Sequence, residues 1–449
     1  MRTLRRGGSF TALVVALATL GAGGCDWRDF DKLEAETPVL SIGQPSGYSG
    51  QDDFGRHLLV LAGPAMDATG GRFIVASANH AELGIMAIDA RGVVSGQAFS
   101  RPLFGTTEPT LPITSMAQVP GTDKVLLGAP LANVVGSVYV LSLVPTPEVT
   151  LLDSPAADER FGLGVAAGAL AGGAAPDYVV VSGSQLSVYL DGDRAQAVIA
   201  PAPPDTCPLD LSMAVQSRDR TNRAVVVADL MGAGTSQIIV GTPAVMPDAG
   251  AVSVFTVDAT TGVATCAFSL RSSTGGAPKA RFGQSLTTGD FNRDGKLDLL
   301  VGAPPSGAFW IPGPLTATST PLPVALGPEA VSPTGELGYA VAAVDVDGEP
   351  GVEALVSDLD APSEDRSKTL AGEVRVAGGA MLDVAGTTLR RVSPGSNDGF
   401  GADVAGLPFC ISGCGTPTAD VKSVVLVGAT KQAYALFKTA PGDTDPRRR

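Results

Sequence analysis

Seven short apolar strands of one kind recur along this chain: FIVASAN (73–79), KVLLGAP (124–130), YVVVSGS (178–184), QIIVGTP (237–243), LLVGAP (299–304), ALVSDLD (354–360) and VVLVGAT (424–430). With Ser77, Gly128, Ser182, Gly241, Gly302, Ser357 and Gly428 taken as equivalent, successive units lie 51 to 71 residues apart. Recurrence at such a period marks a repeat architecture, in which each unit is one supersecondary module and neighbouring units bury a shared core. The fold is therefore argued from the unit before any individual motif.

Each unit continues into a second alternating strand: GIMAI at 84, GSVYVLSL at 136, QLSVYL at 185, GAVSVFTV at 250, GAFWI at 307, GEVRVA at 372 and QAYALF at 432. In GSVYVLSL, Val138 and Val140 point to one side and Tyr139 and Leu141 to the other, so apolar groups line both faces and the sheet is packed on both sides. The 56 glycines and 34 prolines among 449 residues supply turns at a density that suits many short strands rather than long helices. The expectation is an all-β chain.

Upstream of five units stands Phe-Gly or a near relative: Phe54-Gly55, Phe161-Gly162, Phe282-Gly283, Leu337-Gly338 and Phe400-Gly401. Units two and four lack it. In the fifth unit the segment that follows is DFNRDGKLDLL, with oxygen-bearing side chains at Asp290, Asn292, Asp294 and Asp298, a glycine at Gly295, and the backbone carbonyl of Lys296 as a fifth donor. A hard divalent cation takes six to eight oxygen ligands, and such a loop can wrap calcium. A helix-loop-helix sensor would carry a carboxylate at position 12 of the loop, where this chain has Val301. The sixth loop aligns Asp345, Asp347, Glu349 and Glu353 with the same positions but has Pro350 at the turn, so a calcium loop and a plain acidic hairpin are both open readings. In the fourth, Met231, Ala233 and Gln237 replace ligands behind Asp229, and the remaining loops have too few oxygens at the right steps.

Phe-Gly, an acidic loop and then LVGAP is the pattern of FG-GAP repeats. The chain resembles the β-propeller at the head of integrin α subunits and its bacterial relatives over residues 38–440, with the full motif in the fifth unit. The resemblance implies a seven-bladed β-propeller of four-stranded antiparallel blades. It also implies structural calcium in hairpins between the first and second strands of a blade, on the face opposite the one that binds partners. The seventh unit runs out of chain after three strands, so PVLSIG (38–43) is expected to supply its fourth and remove an open edge.

Residues 1–24 read as a targeting segment: Arg2, Arg5 and Arg6, an apolar stretch from Phe10 to Leu20, then small residues before Cys25. This resembles a bacterial lipoprotein signal, with Cys25 lipidated and residues 25–37 a short tether reaching about 40 Å when extended; Ala22 departs from the usual leucine, and an ordinary secretory peptide is the other reading. Removing the three arginines takes the net charge from −14 to −17, which argues against nucleic acid and for an exported body. Four further cysteines allow three disulfide connectivities; the choice made here is Cys207–Cys266 and Cys410–Cys414. Residues 441–449 are expected to be a disordered tail.

With two histidines, His57 and His80, and no phosphate-cradling glycine loop, a catalytic constellation is not legible. The expected function is a lipid-anchored binding or adhesion module of the cell envelope, facing a protein or glycan. An envelope-complex scaffold and a carbohydrate-active or phospholipase-like enzyme are the alternatives. The longest candidate partner loop runs from Asp358 to Gly372 and carries Asp358, Asp360, Glu364 and Asp365.

Overall fold

The structure is a computed structural model that describes residues 39–437 apart from connecting stretches, the longest being 63–69, 100–112, 210–223, 272–280, 327–334 and 413–419, and a number of shorter ones. The described strands form seven four-stranded antiparallel sheets, and these are the seven repeat units. Blade 1 spans residues 57–99, blade 2 115–152, blade 3 164–199, blade 4 225–270, blade 5 285–323 and blade 6 337–389. Blade 7 spans 404–436 and takes its outer strand, Val39–Ile42, from the other end of the chain. That strand pairs antiparallel with Ala433–Leu436, in the register Val39 to Leu436 and Ile42 to Ala433. The expected closure of the ring is therefore present.

Within a blade the strands run inner, second, third, outer. The repeated LVGAP-type segment is the second strand in each case, as in Lys124–Ala129 and Asp298–Gly302. The outer strands vary most, shrinking to Val198–Ile199 in blade 3 and Leu322–Pro323 in blade 5. One face of the ring, called lower here, carries the hairpins between inner and second strands and between third and outer strands. The upper face carries the second-to-third connections and the crossings between blades.

Both faces of each blade are buried, and the reason is visible in the alternation. In blade 2, Tyr139 and Leu141 pack toward blade 1 with Ile74 and Leu83, while Val138 and Val140 pack toward blade 3 with Phe161 and Val180. Among the described residues, each apolar cluster lies in a seam between two consecutive blades, including the one that joins blade 7 to blade 1 through Ile42, Phe54, Leu407 and Leu426.

The Phe-Gly pair works across these seams rather than within its own blade. Phe161 is fully buried between blades 2 and 3, and Gly162 has φ +94°, a backbone region that excludes most side chains. Its carbonyl oxygen lies 2.2 Å from the point where Gly128, the glycine of the preceding GAP, would carry a Cβ. The same abutment recurs for Gly241 with Gly283, Gly302 with Gly338, and Gly428 with Gly55. Units two and four lack Phe-Gly, and the residues that would face them, Ser77 and Ser182, are the ones that carry a side chain. Ser357 is the exception: it faces Gly401, whose bare Cα leaves room for one Cβ but not two, since a Cβ there would sit 2.9 Å from that of Ser357.

Candidate cation hairpins and the upper rim

The DFNRDGKLD hairpin links the inner strand Ser285–Gly289 to the second strand Asp298–Gly302 on the lower face of blade 5. Its acidic side chains are aimed at the loop's own backbone. Asp290 accepts the N–H groups of Asp294 and Gly295, each at 3.0 Å, Asn292 accepts that of Asp294 at 3.0 Å, and Asp294 accepts that of Lys296 at 2.9 Å. Arg293 holds φ +63° at the tip, and Asp294, Gly295 and Lys296 are exposed.

Asp298 differs from these. It is fully buried and ties two hairpins together: Oδ2 accepts from Phe291 and Asn292 at 3.0 and 3.3 Å, and Oδ1 accepts from Gly313 of the third-to-outer loop at 2.8 Å. Burial pushes its carboxyl above the usual range, outweighing the three N–H donors that pull it down.

The same post exists in blades with no calcium pattern. In blade 3, Asp177 accepts from Leu170 and Ala171 through Oδ2 and from Asp191 through Oδ1, at 2.8, 3.0 and 2.8 Å. In blade 4, Gln237 Oε1 accepts from Leu230 and Met231, both at 2.9 Å, and in blade 6 Glu353 Oε2 accepts from Val346 at 2.9 Å. All four residues are buried at the first position of the second strand. A neutral carboxamide serves there as well as a carboxylate, so the position is first a hairpin anchor. Sequence reasoning took Gln237 as a lost ligand and left Asp177 unread. The alignment of Asp177, Gln237, Asp298 and Glu353 across units was the available signal.

The blade 5 hairpin is also locked to blade 6. Val352 N donates to the carbonyl of Asp290 at 3.1 Å, and the Arg293 guanidinium lies 3.9 Å from Glu353 Oε1. Among the described residues, no three His, Cys, Asp or Glu side chains converge as a metal-holding group. The donor chemistry of the fifth hairpin nonetheless fits a hard cation: every candidate donor is oxygen, and a carboxylate that accepts one or two N–H groups keeps further lone-pair sites. In the sixth hairpin Asp345 and Glu353 are described, whereas Asp347 and Glu349 lie outside the described residues, as do Cys25 and Glu364.

On the upper rim, the loop after Asp358 is an ordered structure. Asp358 does not reach the surface as a partner-binding residue would: it is buried at the end of its strand, directly opposite Glu373. Burial, and then the neighbouring Glu373 carboxylate, raise its carboxyl to about 6. Glu373 is clamped between two guanidinium groups, Arg375 at 2.7 Å and Arg390 at 2.7 Å. Asp360 is half-buried, and Asp365 is exposed. Asp365 gathers Ser363 Oγ at 2.6 Å and both the N–H and Oγ of Ser367, at 3.0 and 2.8 Å, which hold its carboxyl down at about 2. The far side of the loop is stitched to blade 7: Thr369, Leu370 and Ala371 accept from Asn397, Gly399 and Phe400. Arg366, Ser367 and Lys368 are left displayed on a braced support.

The expected Cys207–Cys266 disulfide is present, with an S–S distance of 2.07 Å. It pins residues 206–209 across the third and outer strands of blade 4, helped by Ser253 Oγ to the Pro208 carbonyl at 2.8 Å and Ser269 Oγ to that of Thr206 at 2.5 Å. Cys410 lies in the strand Val404–Ser412, and its expected partner Cys414 is outside the described residues.

A family model described as FG-GAP repeat matches residues 282–314, which run from the Phe-Gly of blade 5 through its acidic hairpin to the end of its third strand and just beyond. No curated protein matches the chain.

Proposed function

We propose that this FG-GAP-bearing, integrin α-like seven-bladed propeller is an extracytoplasmic binding or adhesion module, held at a membrane by lipid on Cys25 and stiffened by calcium, with no catalytic task. The observation that carries the binding reading is the braced loop of blade 6. Arg366 and Lys368 are exposed there, and their backbone is fixed by Asp365, Ser363 and the bonds to blade 7. Ordering a display loop in advance lowers the entropy that association must overcome. The ligand is a protein or glycan of the cell surface.

The test is capture from a cell-surface extract by the full chain and by an Arg366→Ala/Lys368→Ala variant. Defined proteins or glycans retained by the first and lost by the second support the reading. Identical retention by both removes this loop from the function.

For calcium, Asp290, Asn292, Asp294 and the Lys296 carbonyl would hold the ion beside Asp298, where it would neutralise three carboxylates and pin the hairpin. Added calcium should raise the melting temperature of the wild type and leave Asp294→Ala unmoved. A wild type indifferent to chelation ends the calcium reading, and the anchor residues Asp177 and Gln237 then explain why these hairpins stand without an ion.

A further inference from the structure

The described chain both begins and ends on the lower face. Val39 opens the outer strand of blade 7 beside Leu436, where the third strand of that blade finishes. The tether that leads back to Cys25 must leave from this point.

Six large aliphatic side chains are exposed among the described residues, and four of them, Val39, Val93, Val144 and Leu297, lie at the lower face. Three of the four fall on consecutive blades: Val39 on blade 7, Val93 in the third-to-outer hairpin of blade 1, and Val144 in the matching hairpin of blade 2. Their exposures are 44, 59 and 55 %. The hairpin that presents Val93 is a built turn, since Asp89 Oδ1 accepts the N–H groups of Arg91 and Val93 at 2.9 and 2.8 Å and so aims both side chains outward.

The charge of this face is divided along the same line. Blades 4 and 6 carry Asp229, Asp258 and Asp345 in lower hairpins that contain no base, while in the blade 5 hairpin Arg293 and Lys296 offset Asp290 and Asp294. On the arc of blades 1 and 2, Arg91 and Lys124 offset most of Asp89, Asp123 and Glu148. An apolar, nearly neutral arc beside the tether, opposite an acidic arc, is the arrangement that tilts a body onto a lipid surface by one edge.

We propose that the lower rim of blades 7, 1 and 2 rests on the bilayer, with Val39, Val93 and Val144 at the headgroup boundary, so that the acidic hairpins lift away and the upper rim faces outward. This rests on the anchor at Cys25 proposed above. The tether's reach of about 40 Å keeps the rim within touching distance of its membrane.

The experiment places the full chain in vesicles of phosphatidylethanolamine and phosphatidylglycerol, three to one, and compares Val93→Trp and Val144→Trp with Leu131→Trp on the upper face. Each is read against the wild type for quenching by lipids brominated near the headgroup. The expected result is at least twofold stronger quenching at positions 93 and 144 than at 131, taken as the increment over the wild type with its Trp27 and Trp310, and an unchanged circular dichroism spectrum shows that the variants are folded. Equal quenching at the three positions overturns the proposal, as does protection of the rim by a second copy, seen as a doubled mass in light scattering without vesicles. Intact mass of the same sample reports separately on Cys25. Lipid present with equal quenching sinks the rim alone, whereas lipid absent sinks the anchor reading.

Discussion

The glycine abutment across blade seams makes Gly428→Ala a sharp test of how the ring is held. Gly428 has an ordinary backbone conformation, so alanine there adds sterics and nothing else. Its Cβ would lie 2.0 Å from the Gly55 carbonyl oxygen, about 1.4 Å short of the 3.4 Å at which ordinary contact begins. Both partners are backbone, in the seam where the last blade meets the first, so no side chain can rotate away. Overpacking of a close-packed interior costs about 1 to 3 kcal/mol, and the upper part of that range is expected here.

The control is Gly43→Ala at the end of the closing strand. A Cβ there meets nothing within 4 Å, and restriction of the unfolded chain should stabilise by about 0.4 to 1 kcal/mol. Urea titration followed by circular dichroism measures both variants at fixed calcium. Gly428→Ala within about 0.5 kcal/mol of wild type, the spread typical of neutral surface changes, would refute the seam argument.

Three further outcomes follow from the same geometry. Ile42→Ala, which empties a fully buried site in the closing strand, should cost about 2 to 5 kcal/mol, and a midpoint equal to wild type would show that the strand is dispensable. Asp358 has a folded carboxyl raised from 3.8 to about 6, so its contribution is complete below pH 4 and is lost as pH rises through 6; at about 1.4 kcal/mol per pH unit, Asp358→Asn should gain up to about 3 kcal/mol at pH 7.5 and flatten the stability profile between pH 4 and 6. An unchanged profile there removes Asp358 as the titrating group. Cys207→Ser opens a covalent loop of 59 residues, a loss of about 4 kcal/mol by chain entropy, checked by denaturation with and without reductant.

Much of this architecture could be read from the sequence because a propeller repeats one local rule. Alternation in GSVYVLSL and its six counterparts depends only on each blade having a neighbour on either side, and that condition is met by any closed ring. The closing strand was legible for a related reason: a seventh unit one strand short and an unassigned PVLSIG leave one way to pair the edges. What escaped were relations between units. Nothing within the fifth repeat says that Gly302 faces Gly338 of the sixth, because the motif reads along the chain while the contact runs across a seam. Asp298 read as a ligand because its spacing fits one. Its equivalence to Asp177 and Gln237 as hairpin anchors emerges only when three blades are superposed in thought. Asp358 read as a surface acid because a loop of polar residues follows it, whereas its cross-strand partner Glu373 and the two arginines bury it.

Blade 7 is the one blade that cannot be made by local means. Ser41 bonds Gln432 across 391 residues, and the strand around it is among the earliest parts of the propeller to be synthesised while its partner is among the latest. Chains are synthesised from the N-terminus and their domains tend to fold as they emerge, so Val39–Ile42 must wait, unpaired, until six blades have formed and the third strand of the seventh arrives. A chain cut short anywhere before Leu436 leaves two unsatisfied sheet edges, one at each end of an open arc. Completion of the ring thus reports that synthesis has passed the last strand of the propeller, a check that is built into the order of the strands.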